Sequence, residues 1–142
     1  MARRLLVPMD GSPQAEQALE HALSVHEGDA ITVLHVIDPI EASYNPGATV
    51  PGYSEEWYES EKEGAAELFD AAAATAADRG VEIETELEVG RPAHVIVEYA
   101  ENHNVDQIVM GCHGRSGVAR VLLGSVAEDV VRRSTVPVTV VR

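Results

Sequence analysis

Between Gln107 and Ala127 the chain carries no acidic residue, although Asp and Glu together number 24 in its 142 positions. The same stretch holds Arg115, Arg120 and four of the 11 glycines, spaced Gly111-x2-Gly114-x9-Gly124-Ser125. Glycines let backbone N–H groups approach phosphate oxygens closely. A helix opening at Ser125 would aim its unpaired amides and the positive end of its dipole at the same point. Ser125 adds a hydroxyl donor, and Arg115 a charge-assisted one. The chemistry this spacing could do is therefore phosphate binding, carried mostly by backbone. Glycines after a strand are also ordinary turn punctuation, and Ser125-x-x-Glu128 spells a capping box, so spacing alone leaves both readings open.

Other reactive residue types are sparse. His113 adjoins Cys112, but no H-x3-H or C-x2-C spacing supports a zinc site. The only lysine is Lys62, so no G-x4-G-K-[S/T] loop exists, and no carboxylate or histidine is clearly set to activate a water. Rapid hydrolysis of a phosphate chain is not expected. Cys112 either packs or, with its pKa lowered by Arg115 and loop amides, acts as a nucleophile; packing is the expectation. Asp10 either helps hold Mg²⁺ beside phosphates or caps the first turn. Tyr53, Trp57 and Tyr58 either fold over a ligand or anchor in the core, and the core is expected. His21, His26, His94 and His103 fall on helices as solvated residues, and the glutamates of 55–63 and 82–88 read as solvated faces.

The elements that must position the phosphate stretch can be read in order. Arg4 to Met9 is a buried strand, closed by Asp10-Gly11-Ser12-Pro13, with Ser12 as N-cap and Pro13 at N1 of a helix. Ala15, Ala18, Leu19, Ala22 and Leu23 form its apolar stripe, which ends near Glu27-Gly28. Ala30 to Ile37 is a second, central strand. Asp38 to Tyr53, with Pro39, Pro46, Gly47, Pro51 and Gly52, is a long loop and a candidate lid. Ser54 to Arg79 is a helix burying Leu68, Phe69, Ala72 and Ala76, stopped by Gly80. Val81 to Val89 alternates with Glu82, Glu84, Glu86 and Glu88 on one face, which only an edge strand can solvate. Arg91 to Asn104 is a helix burying Ile96, Tyr99 and Ala100. Gln107 to Met110 is a buried strand, Ser125 opens the last helix, and Val136 to Arg142 is a strand whose Pro137 places it at an edge.

Five strands alternating with four helices predict an α/β fold: one doubly wound, parallel sheet of flavodoxin-like or Rossmann-like build, helices on both faces. The order 3-2-1-4-5 puts the wet third strand and the proline-bearing fifth at the edges. Its switch point falls between strands one and four, so ligands should gather at Pro8-Met9-Asp10 and from Gly111 onward. That placement, with the acid-free context, favours phosphate over punctuation.

At 15.2 kDa and 45% hydrophobic residues, residues 1–142 fit one domain that needs no disulfide. The net charge of −14 argues against a nucleic-acid partner. Arginine far outnumbers the single lysine, and with the acid excess this resembles a halophilic surface. Lone Cys112 fits a reducing compartment. The apolar run of MARRLLVPMDGS is too short for a signal peptide, and nothing approaches the roughly 18 apolar residues of a membrane span. A cytoplasmic protein without a membrane partner is expected.

Leu5-Leu6-Val7-Pro8-Met9-Asp10-Gly11-Ser12, His35-Val36-Ile37-Asp38, Gly90-Arg91-Pro92, Gly111-Cys112-His113-Gly114-Arg115-Ser116-Gly117 and Leu123-Gly124-Ser125-Val126-Ala127 together resemble the universal stress protein family, over the whole chain. In that family G-x2-G-x9-G-[S/T] marks the ATP-binding branch, and every position of it is kept here. The resemblance implies that Pro8, Met9, Asp10 and the backbone of Val36 surround adenine and ribose. It implies that Gly111, Cys112, His113, Gly114, Arg115, Ser116 and Gly117 wrap ribose and phosphates, and that Gly124, Ser125, Val126 and Ala127 hold the phosphate tail. Mg²⁺ would accompany the nucleotide. A homodimer through Val136 to Arg142 is implied too, in keeping with the edge position of that strand. Cys112 departs from the pattern, where a small hydroxyl residue is frequent, but fits the same volume. The function implied is an ATP-binding, dimeric stress-response module, working with a further protein partner and with little or no rapid catalysis. The alternatives are a slow ATP hydrolase and a nucleotide-free scaffold of the same fold.

Overall fold

The structure, a computed structural model, describes residues 2–39, 55–112 and 124–142. Strands β1 (Arg4–Pro8), β2 (Ala30–Ile37), β3 (Ile83–Val89), β4 (Gln107–Gly111) and β5 (Val138–Val141) form one parallel sheet in the order 3-2-1-4-5. Helices α1 (Pro13–Val25), α2 (Glu55–Ala77), α3 (Pro92–Asn102) and α4 (Ser125–Arg133) cover both of its faces. The expected order holds for the expected reason. β1 and β4 bury apolar side chains alternately on both faces, so they must be central.

Leu5, Val7 and Val109 face α1 and α2, whereas Leu6, Ile108 and Met110 face α3 and α4. Ala15, Ala18 and Ala22 give α1 a narrow contact stripe and are all buried, so the helix lies close on the sheet. Its start is set by Ser12, whose Oγ accepts from the Ala15 N–H at 3.2 Å. At the wet edge, Glu84, Glu86 and Glu88 are exposed.

Several boundaries differ from expectation because hydrogen bonds, not composition, set them. α2 ends at Ala77, Gly80 takes φ +71, and the Val81 N–H donates to Ala76 C=O at 3.0 Å. Val81 therefore closes the helix exit, and β3 begins at Ile83. Pro137 precedes β5; its C=O accepts from the Ile108 N–H at 2.9 Å, so its missing donor costs nothing. His26 and His103 prove to be C-caps of α1 and α3, and the His103 ring stacks on Tyr99 at 3.8 Å. Trp57 and Tyr58 are half-buried on α2, and the loop they are expected to anchor lies outside the described residues. Ser54 and most of the expected loop, from position 40, lie outside the described residues, as does Tyr53. Among the described residues no helix is long and apolar enough to cross a membrane.

Candidate functional site

A cavity of about 440 Å³ opens at the carboxyl ends of the central strands, where β1 and β4 lead their chains to opposite faces. Pro8, Met9 and Asp10 form one wall; Val36 to Asp38, Met110 with Gly111, and Gly124 to Ala127 form the others. Two backbone features in it have no partner among the described residues.

The first is at Val36. β1 pairs with β2 as far as Pro8 opposite Leu34, and the last bond runs from the Met9 N–H to Leu34 C=O at 2.9 Å. Ile37 C=O accepts from the Gly90 N–H at 2.9 Å, on the β3 side. In a parallel ladder the N–H and C=O of one residue point the same way and alternate along the strand. The N–H and C=O of Val36 therefore point towards β1, beyond the place where β1 has stopped. They present one donor and one acceptor to the crevice.

The second is the start of α4. Its N-cap is Gly124, at φ 87 and ψ 155, and no side chain among the described residues caps the helix. The capping box spelled by Ser125 and Glu128 is not formed: Glu128 instead accepts from Arg132 at 2.8 Å on the surface. The first amides of α4 and the positive end of its dipole thus remain for a ligand at the cavity wall. Gly124 sits in a backbone region open essentially to glycine alone.

The remaining site residues have structural duties as well. Asp10 Oδ1 accepts from the Ser12 N–H at 3.0 Å, closing the turn into α1. His35 Nδ1 lies 2.8 Å from Met9 C=O, which ties the tip of β1 to β2. A Cβ on Gly111 would lie 2.5 Å from both C and O of Gln14, so this glycine is demanded by close packing of α1 on β4. Cys112 is buried, and its N–H donates to Val141 C=O at 2.9 Å, so that amide serves the sheet rather than a ligand. His113, Gly114, Arg115, Ser116 and Gly117 lie outside the described residues.

Sequence reasoning missed Glu61 of α2, which lines the cavity. The signal was present: Glu61 stands one turn before Ala65 on the stripe that continues through Leu68, Ala72 and Ala76 into the core. A second cavity of about 720 Å³ between α1 and α2 adjoins the first, and Met9, Asp10, His35 and Glu61 line both. Among the described residues no group of three His, Cys, Asp or Glu side chains gathers as a metal site.

A doubly wound α/β domain with a ligand-sized crevice at its switch point is the class that this fold and site define. The model of the universal stress protein family matches residues 1–142, and the chain belongs to that family. It is 38% identical over 142 residues to universal stress protein MJ0531 of Methanocaldococcus jannaschii, covering 99% of this chain and 82% of that relative. The solved structure of MJ0577, from the same organism, aligns with a TM-score of 0.81 at 33% identity, over 99% of this chain and 96% of its own. A universal stress protein of Archaeoglobus fulgidus solved in complex with dAMP shares the fold at a TM-score of 0.68 and 24% identity, over 100% of this chain and 98% of its own. A universal stress protein solved in complex with cAMP shares it at a TM-score of 0.67 and 24% identity, over 99% of this chain and 96% of its own.

Proposed function

We propose that the chain binds an adenine nucleotide, ATP foremost, in the crevice between β1 and β4, and that occupancy rather than turnover is its contribution to a dimeric stress-response module. The observation that carries this reading is the presence, in one cavity, of a backbone rung at Val36 and a helix N-terminus at α4 that are both without a partner among the described residues. Adenine offers an amino donor beside a ring-nitrogen acceptor, which complements the C=O and N–H of Val36. Phosphates complement the amides of Ser125 to Ala127, with the Ser125 hydroxyl as a further donor. Pro8, Met9, Ile96 and Met110 supply apolar walls for the base. The glycine-rich segment from Gly111 to Gly117 completes the phosphate side in this reading.

Mg²⁺ would arrive with the nucleotide, held mainly by phosphate oxygens and aided by Asp10. The absence of a Walker lysine from the sequence supports slow hydrolysis or none. Dimerisation through the β5 edge, a cytoplasmic setting and tolerance of strong salt belong to the same reading; the charge of −14 supports the last.

Calorimetric titration with ATP, ADP and AMP, with phosphate release followed in parallel, tests it. Saturable binding with turnover far below the ~1 s⁻¹ floor of ordinary enzymes is expected. No binding by the wild type would establish the scaffold alternative instead, and ordinary turnover lost in Asp10→Ala would establish a hydrolase.

A further inference from the structure

We infer that His35 is a positioning residue of the crevice: its ring takes up Met9 C=O, the acceptor that Val36 N–H would otherwise bond, and so keeps the Val36 rung open for a base. The inference rests on the nucleotide reading above and deepens it.

The register of β1 and β2 carries it. Met9 N–H donates to Leu34 C=O at 2.9 Å, one step beyond the last paired residue of β1, Pro8. In a parallel ladder, a residue that donates to one position across the gap accepts at its own C=O from the position two residues further on. The next bond would thus run from Val36 N–H to Met9 C=O. Among the described residues that bond is not formed. His35 Nδ1 lies 2.8 Å from Met9 C=O instead. A carbonyl only accepts, so Nδ1 carries the proton and donates.

This exchange of a backbone donor for a ring is local. Asp10 Oδ1 closes the following turn on Ser12 N–H at 3.0 Å, one residue past the carbonyl concerned. Met9 has therefore not left the ladder: its N–H remains there, and its C=O alone has changed partner. His35 is half-buried and lines the crevice together with Val36 and Met9. With Met9 C=O engaged by the ring, Val36 N–H stays beside Val36 C=O as the pair that complements a ring nitrogen and an amino group. Without the ring, that N–H would close on Met9 C=O, and the base would lose one of its two bonds.

Amide hydrogen exchange in ¹⁵N-labelled protein tests this without any nucleotide. His35→Leu removes the donor, whereas His35→Asn keeps an N–H at the same covalent distance from Cβ as Nδ1. Exchange at Val36, read against Ile37, which pairs with β3, is expected to slow about tenfold in His35→Leu and to stay near the wild-type rate in His35→Asn. Damage to the fold only speeds exchange, so slowing cannot come from lost stability. An unchanged or faster Val36 amide in His35→Leu overturns the assignment. Affinity gives the second readout, from AMP against 1-deaza-AMP and 7-deaza-AMP, which each lack one of the ring nitrogens flanking the amino group. The wild type should favour AMP about tenfold over one of them. His35→Leu should bring that ratio to about one, and His35→Asn should retain it. A preference that survives in His35→Leu also overturns the assignment. Equal affinities or no binding in the wild type, with Val36 slowed in His35→Leu, contradict the nucleotide reading instead.

Discussion

Gly111 and Gly124 stand in one motif but answer to different constraints. A methyl group at Gly111 would meet the Gln14 backbone at 2.5 Å. Gly111→Ala should therefore lower unfolding stability by about 1–3 kcal/mol through overpacking. Gly124 has an unstrained neighbourhood only because glycine tolerates φ 87 with ψ 155. Gly124→Ala should cost a similar ~1–3 kcal/mol and, by shifting the start of α4, weaken ATP as well. Urea unfolding with and without ATP separates the two, since the ligand's added stability should shrink in the second variant. Glycine spacing was legible in the sequence, but the reason for Gly111 was not, because its contact is with a residue far away in the chain. Glu61 was misread for a related cause: its type said solvent, and only its place on the stripe said site.

Tyr99 carries a second prediction at this scale. Burial, then the carboxylates of Glu86, Glu84 and Glu88, hold its phenol above the ordinary value, with Arg4 opposing. The folded chain therefore keeps that proton at pH values where the unfolded chain has lost it. Stability should be unaffected by this group below pH about 10 and should fall as pH rises beyond it. Thermal melts from pH 8 to 11 should show a shallower alkaline loss in Tyr99→Phe; identical slopes would contradict the assignment.

At the level of elements, the start of α4 makes opposite demands on stability and binding. An aspartate at position 125 would place a fixed negative charge at the positive end of the dipole, worth about 0.3–1 kcal/mol to the helix. The same charge would oppose a phosphate. Ser125→Asp should thus hold or raise the melting temperature while weakening ATP at least tenfold, and unchanged affinity would remove α4 from the account. β5 permits an equally selective change. The C=O groups of Pro137 and Val141 accept from the N–H groups of Ile108 and Cys112 on the β4 side, a pattern that turns Val138 and Val140 outward. Val140→Pro removes an outward N–H without touching the β4 ladder, so sedimentation should show a dimeric wild type and a monomeric variant that keeps the fold; a monomeric wild type would contradict the proposed pairing through β5. Edges of this kind were legible, from the glutamate row of β3 and from Pro137. Exact ends were not, since single bonds such as Val81 N–H to Ala76 C=O decided them.

Across the whole molecule, alternating apolar strands and amphipathic helices made the 3-2-1-4-5 order readable, and with it the switch point at which the crevice opens. What composition could not reveal was the free rung at Val36, which exists because β1 stops at Pro8 while β2 runs on to Ile37. In the proposed function that mismatch in strand length supplies the base end of the crevice, and α4 supplies the phosphate end. Backbone amide shifts of ¹⁵N-labelled protein titrated with ATP test this pairing most directly. The account predicts saturable shifts at Val36 and at Ser125 to Ala127 together, with one common dissociation constant. Binding that leaves either end unshifted would contradict it.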